Sequence, residues 1–201
     1  MKLHYGLGWA VGRALAMLFW RFRGLWSERI PRRGPVIIAS NHVSYWDPIL
    51  VGLGCTREVH FLAKSELFRN RFLGWLIRAY NAIPVRRGAA DHRALRAATR
   101  VLDSDGALVV FPEGTRSTTG ELGKGRPGVA FLAETTGAKV VPAFISGSDS
   151  LSRLFRERRR LTVAYGEPMD PPDVGGRESH EEYAARVMAR IGRLREEVEA
   201  T

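Results

Sequence analysis

His42 and Asp47 stand five residues apart in Ser40-Asn-His-Val-Ser-Tyr-Trp-Asp47, directly after a short apolar run. A carboxylate that accepts from one imidazole nitrogen fixes the tautomer and leaves the other nitrogen as a base, as in hydrolase triads. Five residues along a regular helix turn about 140°, so the two can meet only if the chain is still non-helical at His42 and Asp47 sits on the first helical turn. No serine or cysteine lies in a Gly-x-Ser-x-Gly nucleophile turn, so a base here would activate a hydroxyl of the substrate. The same residues also read as a helix start, with His42 as a cap and Asp47 at the dipole-favoured N-terminus.

A second cluster is Val110-Phe-Pro-Glu-Gly-Thr-Arg-Ser117. An apolar run ends there, and a turn presents Glu113, Thr115, Arg116 and Ser117. Gly114 lets backbone amides approach an anion closely, and Arg116 can grip a phosphate through two N–H groups. Glu113 would repel a phosphate unless it orients the arginine or accepts from a substrate hydroxyl. A third cluster, Ile83-Pro-Val-Arg-Arg-Gly88, presents Arg86 and Arg87; alone, an arginine pair reads as solvated surface.

These clusters need strand ends to carry them. Strands are expected at Val36–Ser40, His60–Ala63, Ala82–Val85, Ala107–Phe111, Lys139–Ile145 and Leu161–Tyr165, the third near an edge because of Pro84. Helices are expected over Pro48–Gly54, Leu67–Tyr80, Ala89–Leu102, Gly128–Thr136 and His180–Val198. Ser179 and Glu182 form a capping box for the last helix. Alternating strands and helices predict an α/β domain with a mostly parallel central sheet flanked by helices. In such sheets ligands gather at the carboxyl ends of the strands, where all three clusters fall. Pro171–Gly176 reads as a linker to the final helix.

Together the clusters resemble the glycerolipid acyltransferase superfamily, and within it the bacterial 1-acyl-glycerol-3-phosphate acyltransferases. The family block N-H-x-S-x-x-D is Asn41, His42, Ser44 and Asp47; F-P-E-G-T-R-S is Phe111 to Ser117 without a mismatch. Arg87 matches the arginine that ends the family's second block, although Arg86 stands where many members carry an acidic or polar residue. Val140-Val-Pro142 matches the apolar V-P strand. Phe61–Leu67 and Lys124–Ala130 match further recurrent segments. The resemblance implies acyl transfer from acyl-CoA or acyl carrier protein to the hydroxyl of lysophosphatidate. It implies His42 as base and Asp47 as its orienting partner. Arg87 and Arg116, with Lys64 as a third cation, would bind the acceptor phosphate in a site shaped by Glu113 and Gly114. Pro142 would line the donor path, and Asn41, Ser44, Thr115 and Ser117 would support. Neither a metal nor another cofactor is expected. Another lysophospholipid, glycerol 3-phosphate or a lyso-aminolipid is the alternative acceptor. A non-catalytic binder of anionic lipid or nucleic acid is the competing class, with Leu151–Arg160 as its best support; a binder has no need of His42, Asp47 and Glu113, so no nucleic-acid partner is expected.

The 201 residues fit one domain, and the single cysteine, Cys55, excludes an internal disulfide and a multi-cysteine metal site. The net charge of +10 arises within residues 1–100, and only 4 of the 31 basic residues are lysines. Such a field suits an anionic partner. Residues 1–26 are largely apolar, but Arg13 ends the uncharged run at ten residues, short of the ~20 that a spanning helix needs. The segment also fits a signal peptide poorly. Trp9, Trp20, Trp26, Tyr5 and Phe19 among arginines predict an amphipathic helix lying in a membrane interface, with Arg13, Arg21, Arg23, Arg32 and Arg33 meeting lipid phosphates. The expected division is a membrane-contact segment, 1–30, and an acyltransferase α/β domain, 31–201. The expected location is the cytoplasmic face of the membrane, peripheral or monotopic.

Overall fold

The structure, a computed structural model, describes residues 3–85, 92–157, 160–173 and 178–201. Its elements in chain order are α1 (Leu3–Trp20), β1 (Arg23–Leu25), β2 (Val36–Ser40), α2 (Asp47–Gly54), β3 (Val59–Lys64), α3 (Arg71–Ala79), β4 (Ala82–Val85), α4 (His92–Asp103), β5 (Ala107–Val110), α5 (Gly128–Thr136), β6 (Lys139–Ser146), α6 (Leu151–Arg156), β7 (Thr162–Tyr165) and α7 (His180–Glu199). The strands form one sheet in the order β1-β7-β6-β2-β5-β3-β4. All neighbours run parallel except β6 and β7. The expected mostly parallel α/β sheet is therefore present, with β4 and Pro84 at its edge.

Side chains alternate across a strand, and this sorts the core into two layers. Val36, Ile38, Val109, Val141 and Ile145 pack with Ala16, Leu50, Val51 and Leu154 of α1, α2 and α6. Ile37, Ala39, Leu108, Val140 and Phe144 pack with α4, α5 and α7. Helix α3 begins later than expected because the Asn70 side chain caps it, accepting from the Leu73 N–H at 2.9 Å. The capping box on α7 forms with both bonds in place.

Two expectations about the N-terminus are corrected. Arg23–Leu25 pairs with β7, so the sheet takes in residues assigned to a separate segment ending at residue 30. Three half-buried residues give too short a pattern to announce a strand. Helix α1, for its part, is apolar almost all round, not amphipathic. Tyr5 and Ala16 are buried, whereas Leu3, Leu7, Val11, Leu15, Leu18 and Phe19 are exposed. Its tryptophans turn inward: Trp9 and Trp20 pack on the core, and the Trp20 indole donates to Leu151 O at 2.9 Å. Arg13 also turns inward, donating to Leu53 O at 2.9 Å and lying over Trp9 and Phe22. Gly8 permits the close docking of α1, since a Cβ there would fall 1.9 Å from the Tyr80 hydroxyl oxygen. Among the described residues no helix is long and apolar enough to cross a membrane.

Cys55 lies at the end of α2, its thiol donating to Val51 O at 3.1 Å beside the Tyr165 hydroxyl. Burial pushes the thiol up to about 12. The thiolate is the reactive form, so native Cys55 should resist iodoacetamide at neutral pH and react only after denaturation; rapid alkylation of the native chain by mass would contradict this. From the ordinary 9.0 to about 12 the unfolded thiol loses its proton while the folded one keeps it, so folding stability falls as pH rises through that window.

Candidate active site

The site lies at the carboxyl ends of β2, β5 and β6. Where β2 ends, Asn41 continues the pairing with its side chain: Nδ2 donates to Ile145 O at 3.0 Å, and Oδ1 accepts from Ile145 N at 2.8 Å. The chain stays non-helical until Asp47 opens α2, with Pro48 in the first turn. Asp47 is fully buried, and a buried carboxylate needs partners. Its Oδ2 lies 2.8 Å from His42 Nδ1 and accepts the Val43 and Ser44 N–H groups, each at 2.7 Å. Its Oδ1 accepts from the Ser148 hydroxyl at 2.5 Å. The folding-back that the five-residue spacing requires is thus realised. The His42 ring stacks on Phe111 with centroids 4.0 Å apart. Nδ1 is committed to Asp47, and Nε2 has no protein partner among the described residues.

The Phe111–Ser117 turn is bonded directly to this loop. Glu113 is buried; its Oε1 accepts from the His42 N–H at 3.1 Å and its Oε2 from Gly123 N–H at 3.0 Å. Ser117 N–H donates to His42 O at 2.7 Å. Glu113 therefore holds the histidine's backbone. A carboxylate beside Arg116 resembles part of an anion site in sequence, but both its oxygens answer backbone donors. Gly114 has φ of +70, and a Cβ there would fall 2.7 Å from Arg126 Nε, which donates to Glu113 O at 3.2 Å. The Arg116 guanidinium stacks 3.7 Å over the Tyr45 ring, and among the described residues no carboxylate pairs with it. Thr115 is exposed, and Ser117 Oγ lies 3.4 Å from Thr119 Oγ1. Ser44 is buried, and its hydroxyl accepts from the Trp46 N–H at 3.3 Å.

Two cavities share Trp46, next to Asp47, as a lining residue. One is a polar cleft of about 330 Å³ lined by Ser44, Tyr45, Arg116, Ser148 and Ser150. The other is an apolar groove of about 280 Å³ between α1, α2, β3 and α3, lined by Trp9, Pro48, Ile49, Leu53, Leu76 and Tyr80. The first suits a charged head and the second a hydrocarbon chain, and the imidazole–carboxylate pair is tied to the cleft through Ser148, which bonds Asp47.

Of the remaining described candidates, neither Lys64 nor Pro142 lines either cavity. Lys64 ends β3, half exposed, with its ammonium 3.4 Å from Glu66. Arg86 and Arg87 lie outside the described residues. Pro142 is buried within β6, opposite Ala39. It shares the strand face of Val140 and Phe144, which pack under α7, whereas the groove opens on the other face. Pro142 therefore sits on the α7 side of the sheet and does not line this groove. Ser148 was not foreseen as a partner of Asp47. The available signal is Ser146-Gly147-Ser148 just past a strand end; Gly147, at φ +85, turns the chain back. Among the described residues no three His, Cys, Asp or Glu side chains converge as a metal site would need.

The acyltransferase family model matches residues 23–146. The 1-acyl-sn-glycerol-3-phosphate acyltransferase of Streptococcus pneumoniae is 31% identical over 85% of this chain. The enzyme of that name from Bacillus subtilis is 29% identical over 84%. The chain spans 65% of the first relative's length and 84% of the second's. The crystal structure of the 1-acyl-sn-glycerophosphate acyltransferase from Thermotoga maritima superposes with a TM-score of 0.72 at 28% identity, covering 100% of this chain and 85% of that one.

Proposed function

The chain belongs to the acyltransferase family, and from that premise we propose that it moves a fatty acyl chain from acyl-CoA or acyl carrier protein to the free hydroxyl of 1-acyl-glycerol-3-phosphate, forming phosphatidate. One observation carries the reading: the polar cleft holding Arg116 and the apolar groove have Trp46 as a common wall, next in the chain to Asp47 of the His42–Asp47 pair. His42 Nε2 takes the hydroxyl proton as that oxygen attacks the thioester carbonyl. The new C–O bond forms, the C–S bond breaks, and the proton leaves on the departing thiol. Asp47 holds the ring in the tautomer that exposes Nε2 and stabilises the imidazolium between the two transfers. A thiol leaves readily, so the step calls for neither a metal nor another cofactor. Arg116, with Arg87 by its motif, binds the acceptor phosphate. The exposed apolar side of α1 rests on a membrane surface, which gives a peripheral or monotopic protein on the cytoplasmic face.

Arg116→Ala tests the acceptor assignment. Losing hydrogen bonds from a charged donor should raise KM for lysophosphatidate roughly 10- to 100-fold, with little change for a monoacylglycerol that lacks phosphate. Equal losses for both acceptors would remove Arg116 from the phosphate site.

A further inference from the structure

Helix α3 carries an aromatic face that nothing among the described residues covers. Its apolar residues suggest a core-facing helix, yet Phe72 is 72% and Trp75 65% exposed. Their rings lie 6.3 Å apart. Folding them outward costs hydrophobic stabilisation unless something other than water meets them. Leu76 and Ile77, from the same helix, line the apolar groove instead. So α3 has two apolar sides, one closing the groove and one turned out beside it. Trp46, Ile49 and Leu73 both line the groove and remain exposed, which places its mouth next to Phe72 and Trp75. Arg69, Arg71 and Arg78 lie on α3 or just before it, all exposed; Arg78 stacks over the Phe68 ring, and none pairs with a carboxylate among the described residues. Exposed aromatics fringed by arginines match a bilayer interface, where rings enter the headgroup–acyl boundary and guanidiniums meet lipid phosphates.

We propose that α3 is a membrane-seating element, with Phe72 and Trp75 inserting into an anionic bilayer so that the groove mouth opens directly into the lipid. The inference rests on the acyl-transfer reading for the groove's use, and on the exposed rings for the surface itself. The partner is the lipid surface. An acidic protein would satisfy the arginines but leave two large rings without an apolar environment.

The test is co-sedimentation of the full chain with vesicles of phosphatidylcholine and phosphatidylglycerol. Phe72→Ser with Trp75→Ser should weaken binding by about tenfold or more. Phe72→Leu with Trp75→Phe should retain it. Neither pair lines the groove, so turnover of dispersed short-chain substrates should stay within about twofold of the parent. Brominated lipids should quench a tryptophan signal that disappears in Trp75→Phe. Undiminished vesicle binding by the serine variant would overturn the proposal, as would vesicle binding kept while affinity for an acidic carrier protein is lost. The two readings fail separately. A chain that seats on vesicles through Trp75 but makes no acylated product keeps this surface and loses the transfer reading. An active chain whose serine variant still binds vesicles loses this surface alone.

Discussion

His42→Ala is expected to leave a folded protein whose acyl transfer is slower by roughly 10²–10⁴-fold. The fold should survive because the loop is held by the histidine's backbone. Its N–H donates to Glu113 and its carbonyl accepts from Ser117, and alanine keeps both bonds. What disappears is the ring on Phe111 and, with it, the nitrogen placed to take the proton. Thermal melting close to the parent with turnover lost is the expected pair of measurements. Near-normal turnover would remove the base assignment.

Asp47→Asn should be comparably severe, roughly 10⁴-fold where an oriented imidazole loses its carboxylate. Asparagine can still present a carbonyl oxygen to the three donors now on Oδ2 and its amide to the Ser148 hydroxyl, which can accept. The start of α2 is thus preserved, and the missing element is the negative charge that stabilises imidazolium. The loss should appear in kcat with KM for both substrates little changed. A drop of less than about tenfold would mean that Asp47 serves only as a helix-start residue, for which neutral asparagine is nearly as good.

The sheet was legible because its strands are short apolar runs bounded by glycine, proline or polar residues, and five of them occupy one parallel block. β1 and α6 were not: one has three half-buried residues, and the other lies inside the arginine-rich Leu151–Arg160. The His42–Asp47 contact could be anticipated from the break between strand and helix, but the roles of nearby residues could not. Glu113 and Arg116 are adjacent in a turn and diverge in space, one to backbone N–H groups and the other to Tyr45. Pro142 could have been assigned from period-two alternation, which places it with Val140 and Phe144 away from the groove. The tryptophans of α1 could not, because a helix apolar on every side carries no mark of which side meets the core.

The proposed activity joins a fatty acyl chain to a phosphate-bearing hydroxyl acceptor. Purified protein, lysophosphatidate and an acyl thioester, followed by product mass, test it most directly. Phosphatidate carrying the donor's acyl chain, together with one equivalent of free thiol, is the predicted result. Absence of any acylated lipid with either acyl-CoA or acyl carrier protein as donor would contradict it.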